Sequence, residues 1–205
     1  MKQVDASHYE FTTYVTKERF ASFWHQVDNV LKFNPKTVLE IGPGPGIVTD
    51  LLRKQGVKVT TVDFAEDVGA DVIASVLALP FDDNSFDVVL CCQVLEHIEY
   101  DLLLSAVSEI NRVCIDGAVV SLPHTGRFGV FSFWLPKFGQ IRFGLPLNVI
   151  APKHVFDGQH YWEVGKRGYS TARIRRALKS KFKKVNDFRG IENPYHHFFI
   201  CKKGK

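Results

Sequence analysis

Cysteine and methionine are scarce: the chain has four of the first and one of the second in 205 residues. Cys91, Cys92, Cys114 and Cys201 show no C-x-x-C spacing. Three of them sit in apolar, strand-like or helix-end surroundings, which favours reduced, buried thiols in a cytoplasmic protein over a disulfide framework. Zinc is not expected from this set, and no metal site is read from the sequence. No apolar run reaches the roughly 18 residues that a membrane-crossing helix needs. Met1-Lys-Gln-Val-Asp-Ala-Ser-His opens polar with no apolar core behind it, so no signal peptide is expected. Internal repeats and low-complexity tracts are also missing.

Two nucleotide-binding signatures fail. Counting from Gly42, the third glycine of G-x-G-x-x-G would fall at Ile47, which excludes the nicotinamide-dinucleotide fingerprint. No Lys-Ser/Thr pair follows the glycines, which excludes a phosphate loop. Carboxylates are scarce at one end only. Residues 166–205 hold 13 Lys/Arg against Asp187 and Glu192, a charge of +11, whereas residues 1–165 hold 13 Lys/Arg and 20 Asp/Glu, a charge of −7. The tail is strongly basic.

The content that remains is 45% hydrophobic, enough at this length to bury one α/β core. Thr16 caps a helix whose Phe20, Phe23, Trp24, Val27, Val30 and Leu31 are expected to form one apolar face, ending before Asn34-Pro35. Strands are expected at about 37–41, 57–62, 71–73, 86–91 and 117–122, with helices at about 46–55 and 101–113. Leu103, Val107, Ile110 and Val113 form the buried stripe of the second of these helices. A helix from Ser170 to Lys181 turns Ile174, Ala177, Leu178 and Phe182 inward, and two closing strands follow near 183–189 and 196–202. Strands alternating with helices imply a parallel sheet covered on both faces.

The segment Val38-Leu-Glu-Ile-Gly-Pro-Gly-Pro-Gly46 runs a strand into a glycine turn and helix, and Val57-Lys-Val-Thr-Thr-Val-Asp63 ends the next strand on a carboxylate. Glycine leaves the backbone open to a ligand, and Pro43 and Pro45 stiffen the turn. Asp63, seventeen residues past Gly46, is placed to accept from ribose hydroxyls. The E-x-G-x-G-x-G pattern from Glu40 resembles the first motif of the class I S-adenosylmethionine-dependent methyltransferases. Leu79-Pro-Phe-Asp-Asp-Asn-Ser-Phe-Asp-Val-Val-Leu-Cys-Cys-Gln-Val-Leu-Glu-His-Ile98 resembles that family's stretch from the adenine-side loop through the fourth strand. The resemblance covers about residues 35–123 and then fades.

It implies an α/β fold: a Rossmann-like, seven-stranded, mostly parallel sheet with helices on both faces and an antiparallel last strand. It also implies a single domain over 1–205, made of an N-terminal helical lid (1–34), a cofactor-binding core (35–123), an aromatic substrate cap (124–165) and a basic C-terminal helix and strands (166–205). The implied cofactor is S-adenosyl-L-methionine. Glu40, Gly42, Pro43, Gly44 and Gly46 would hold its methionine end, Asp63 the ribose, and Phe64 would pack on adenine. Many relatives carry an aspartate four residues before Leu-Pro-Phe; Ser75 stands there here, so adenine would rest on backbone at Val76 and Leu77. Gln93 would approach the sulfonium.

Residues 124–165 break the alternation and hold nine Phe, Tyr or Trp interrupted by Gly and Pro. An excursion after the fifth strand is well placed to cover a ligand. His97 and His124 are the candidate bases; the plainer reading of His97 is an imidazole that ties down its loop. His154, His160, Tyr161, Trp162 and Glu163 either bind the acceptor or pack as the core of the cap. The aromatics of Phe128–Leu135 are expected to bury one another, with membrane contact as the second reading. His196 and His197 are read as structural residues on opposite faces of a terminal strand. The expected acceptor is a small molecule or a lipid-like one, with no membrane span. One alternative is an RNA or DNA methyltransferase using Arg173, Arg175, Arg176, Lys179, Lys181, Lys183 and Lys184, although these cations also suit a solvated helix face. Another is a non-catalytic cofactor-binding scaffold. The sequence does not set the oligomeric state.

Overall fold

The computed structural model describes residues 14–147 and 151–204. Helix α1 (Lys17–Leu31) leads into β1 (Thr37–Ile41), α2 (Ile47–Lys54), β2 (Lys58–Asp63), β3 (Val72–Ile73) and β4 (Phe86–Cys92). There follow α3 (Leu103–Val113), β5 (Cys114–Pro123), β6 (Phe128–Leu135), β7 (Gly139–Pro146), α4 (Thr171–Lys179), β8 (Lys184–Arg189) and β9 (His196–Lys202). Seven strands form one sheet in the order β3-β2-β1-β4-β5-β9-β8, and β9 is antiparallel to both neighbours. The sheet reverses direction of growth between β1 and β4, the place where such folds open a crevice at the strand carboxyl ends.

Strand alternation divides the interior in two. Leu39, Ile41, Val89, Cys91, Ala118 and Val120 face one core with α3 and α4, through Val107, Ile110, Ile174 and Leu178. Val38, Val88, Leu90 and Val119 face the other, with Phe23 and Val30 of α1 and Val48 and Leu52 of α2. Central strands covered on both sides are mostly apolar, as β1 and β4 are apart from Thr37, Glu40 and Asp87. The Thr16 hydroxyl accepts from Arg19 N at 3.2 Å, and the Ser170 hydroxyl from Arg173 N at 3.2 Å, so both helices start at side-chain caps.

Two expectations are corrected. The buried face of α1 is Ser22, Phe23, Gln26, Asn29 and Val30, while Phe20 and Trp24 lie outside. Polar groups turn inward here because Asn29 Nδ2 donates to the His25 carbonyl at 2.8 Å and Gln26 meets a cavity rather than a packed core. The second concerns residues 128–146, where β6 and β7 form a separate antiparallel ribbon closed by a turn at Pro136–Phe138. Its aromatics do not bury one another. Phe131, Phe133 and Phe143 stack, but all three stay exposed.

Candidate active site

The carboxyl ends of β1, β2 and β4 open onto one cavity of about 670 Å³. Gly42, Gly44 and Gly46 all have positive φ. Gly42 is the constrained one: at φ +72°, its N–H donates to the Val62 carbonyl at 2.8 Å, and an added Cβ would fall 2.4 Å from Val94 Cγ2. Gly46 forms the N-terminus of α2, aiming that helix's first N–H groups at the turn. Glu40 is buried in β1 and accepts from the Thr49 hydroxyl; burial outweighs that bond and pushes its carboxyl up to about 7.

Asp63 ends β2, accepts from Ala65 N at 2.8 Å, and has its pKa raised by burial. Exposed Phe64 follows it on the cavity wall, with Ser75 and Val76 opposite the same space. Gln93, at φ +57°, leaves β4 and donates through Nε2 to the Ser121 hydroxyl at 3.1 Å.

The other end of the cavity is polar and aromatic. Glu96 is fully buried, and among the described residues neither carboxylate oxygen has a hydrogen-bond partner. Burial pushes its carboxyl up to about 8. His97 Nδ1 donates to the Gln159 carbonyl at 3.1 Å, which sets the tautomer with the lone pair on Nε2. Burial lowers its pKa, so the ring is neutral at pH 7. His160 lies edge-on to His97 at 5.1 Å and bonds Glu163 through Nδ1 at 2.9 Å. Burial works against a charged His160, but Glu163, Glu96 and Asp157 outweigh it and raise the pKa. The His160 bond in turn holds Glu163 down at about 2. Glu96, His97 and His160 each offer a donor atom within 4.8 Å of one another, and Asp157, His160 and Glu163 form an overlapping set. The second set is already satisfied by the His160–Glu163 pair; the first is a donor set of the type that holds a divalent cation.

Residues 39–122 match a family model described as a methyltransferase domain. This stretch of the chain is similar to methyltransferase domains, in line with its resemblance to the class I S-adenosylmethionine-dependent family. An uncharacterised methyltransferase of Mycobacterium avium is 33% identical over 122 residues, covering 54% of this chain and 45% of that protein. The chain spans less than half the length of the curated relatives it matches first. Among solved structures, the 1,6-didemethyltoxoflavin N1-methyltransferase of Burkholderia thailandensis, with 1,6-didemethyltoxoflavin and S-adenosylhomocysteine bound, superposes with a TM-score of 0.60 at 17% identity. That likeness covers 90% of this chain and 79% of the other. A methyltransferase of Archaeoglobus fulgidus superposes with a TM-score of 0.60 at 16% identity, over 90% and 94% of the two chains. Both likenesses show the fold.

The expected site residues divide. Glu40, Gly42, Pro43, Gly44, Asp63, Phe64, Ser75, Val76, Gln93, His97, His160 and Tyr161 line the cavity. Gly46 stands behind the turn as the α2 cap. Leu77 does not line it; its side chain packs against the core and its N–H donates to the Ser75 hydroxyl at 3.2 Å. His124 is also outside the cavity. It stacks on His197 with the two Nδ1 atoms 2.8 Å apart, and burial pushes its pKa down to about 3. Trp162 is core: fully buried, it donates through Nε1 to the Ile98 carbonyl at 3.0 Å. His154 donates to the His160 carbonyl at 2.9 Å, and Glu163 acts behind His160 rather than on the cavity wall.

Sequence reasoning missed Glu96, Tyr195 and His196, together with Arg19, Phe23 and Gln26 of α1. His196 and His197 do face opposite ways, but His196 looks into the cavity. A charged residue inside the apolar run Val94-Leu-Glu-His-Ile98 was the available signal for Glu96. The basic tail does not reach this site: no cation from 166–204 lines the cavity. Arg175 forms a two-point pair with Asp187, Arg173 lies 4.3 Å above the Tyr100 ring, and Lys203 donates to the Asn111 and Cys114 carbonyls.

Proposed function

We propose that this chain transfers a methyl group from S-adenosylmethionine to a small-molecule or lipid-like acceptor. The observation that carries the reading is one cavity with two unlike ends: the glycine turn and Asp63 at one, and Glu96, His97 and His160 at the other. When bound, S-adenosylmethionine supplies an already activated methyl group, so the protein has chiefly to bind, orient and exclude water. Alignment of two reactants in such a space is worth about 7–11 kcal/mol.

In this reading Asp63 accepts from the ribose hydroxyls and Phe64 covers adenine, with Ser75 and the Val76 backbone at its edge. The Gly42–Gly46 turn and the α2 N-terminus receive the methionine carboxylate, an anion placed at the positive end of a helix. Glu40 supports that turn through Thr49. Gln93 stands at the boundary between the two ends. His160, Tyr161, Tyr195 and His196 hold the acceptor, and His97 Nε2 takes its proton where it carries one.

The test is transfer of label from S-adenosyl-[methyl-³H]methionine into an extract separated into lipid, small-molecule, nucleic-acid and protein fractions. Label in lipid or small molecules supports the reading; label in nucleic acid returns the role to the tail. Calorimetry is run alongside. Asp63→Ala should weaken cofactor binding by well over tenfold, and unchanged affinity would overturn the ribose assignment.

A further inference from the structure

We propose that the β6–β7 ribbon is a docking arm that seats this protein on an anionic lipid bilayer. The register separates its side chains into two faces. Phe131, Phe133 and Leu135 of β6 share one face with Ile141, Phe143 and Leu145 of β7. That face is wholly apolar, and all six side chains are exposed.

The opposite face carries the ties to the body of the protein. Arg142 Nη1 donates to Glu192 at 3.1 Å and Arg189 lies 4.5 Å over the Phe128 ring, while Gln140 donates to the Ser132 hydroxyl at 2.8 Å within the ribbon. The ribbon is therefore held through Arg142 and Phe128 while its wholly apolar side meets solvent. Exposure peaks at the tip, at 80% for Phe138 and at 72% for Trp134, which stands on the opposite face beside Gln140. An apolar patch of this kind marks an interaction surface.

Charge selects the occupant. Between Asp116 and Asp157 there is no carboxylate, and the cations are Arg127, Lys137, Arg142 and Lys153. Lys137 sits at the tip between Trp134 and Phe138. Apolar and aromatic groups at a tip, with lysine beside them and no acid, match a headgroup layer of negative charge. A second copy of the ribbon would add its own cations and no carboxylate, since Arg142 already holds Glu192. The arm can bind whether or not the methyl-transfer reading holds, because its test needs neither cofactor nor turnover.

The experiment is co-sedimentation of the full chain with vesicles of phosphatidylcholine alone, or of phosphatidylcholine carrying phosphatidylglycerol, at low and high salt. Binding is expected to the phosphatidylglycerol vesicles and to weaken as salt rises. In a Trp24→Phe background, where Trp134 is the exposed indole and Trp162 is buried, brominated lipid should quench the emission. Phe133→Asp with Phe138→Asp should cut the vesicle affinity by more than about tenfold, with unchanged circular dichroism and melting because both side chains are solvent-exposed. Absence of binding to phosphatidylglycerol vesicles at low salt overturns the proposal. So does binding that the double variant leaves intact. A concentration-dependent dimer in sedimentation velocity, abolished by that variant and without vesicle binding, assigns the face to a second copy instead.

Discussion

His160 donates through Nδ1 to Glu163 at 2.9 Å, and the same carboxylate accepts from the hydroxyls of Thr125 and Tyr195. One acid thus joins the end of β5, the cavity wall and the loop before β9. A glutamate with three such partners is an organiser of its neighbours, which explains why it lies behind the wall rather than on it.

Replacing it should disturb both stability and site geometry. Glu163 falls from its usual range to about 2 in the folded chain, so its contribution is present above the unfolded value and lost as pH falls through about 2. His160 is raised, so its share is present below the ordinary histidine pKa and lost as pH rises through the folded value. The melting difference between wild type and Glu163→Gln should therefore be largest between about pH 4.5 and 6.5, on the order of 3 kcal/mol. Thermal melts across pH 3–9 check this, and a pH-independent difference would contradict it.

Glu96 predicts the opposite slope. Its folded pKa of about 8 lies above the unfolded value, so the folded state binds more protons and stability falls as pH rises from about 4.5 to 8. Glu96→Gln removes that titration while keeping the shape. The variant should gain stability as pH rises, on the order of 3 kcal/mol at pH 7, and should lose methyl transfer. Denaturant melts paired with turnover assays would show it; equal stability at pH 5 and pH 8 relative to wild type would not fit.

Gly42→Ala meets both a positive φ and Val94 Cγ2 at 2.4 Å. Val94→Ala removes the second obstacle and leaves the first. The double variant should recover part of the loss, with a coupling energy of about 1 kcal/mol or more in urea unfolding. Strict additivity would mean that backbone strain alone makes the glycine necessary.

His196 should contribute to acid unfolding. Burial holds its folded pKa near 3, so protons bind the unfolded chain first and stability is lost as pH falls from about 6.5. By pH 5 the loss from this one group is about 2 kcal/mol. His196→Gln should flatten the acid limb of the stability curve by that amount; an unchanged limb would place the proton uptake elsewhere, with His124 the next group to test.

Periodicity and turn chemistry were enough for most of the sheet. The apolar runs of β1 and β4 can only be strands covered on both faces, and Ile174, Leu178 and Phe182 recur at the spacing of one buried helix side. The glycine turn and Asp63 were legible because a motif with local geometry carries its chemistry in adjacent residues. The cap was not. Phe128–Leu135 is apolar at nearly every position, so composition does not separate a buried strand from an exposed ribbon, and only the pairing with Gly139–Pro146 shows two unlike faces.

The sequence by itself determined the α/β sheet and the glycine-turn end of the cavity, since these rest on residues close together in the chain. Tertiary structure alone decided the polar, aromatic end. Glu96, His160, Tyr195 and His196 come from three separate stretches and meet only because β9 returns antiparallel beside β5 and the loop before α4 folds over β4. Folding also sent His124, Trp162 and Leu77 away from the cavity, because burial and pairing with distant partners settle which way a side chain turns.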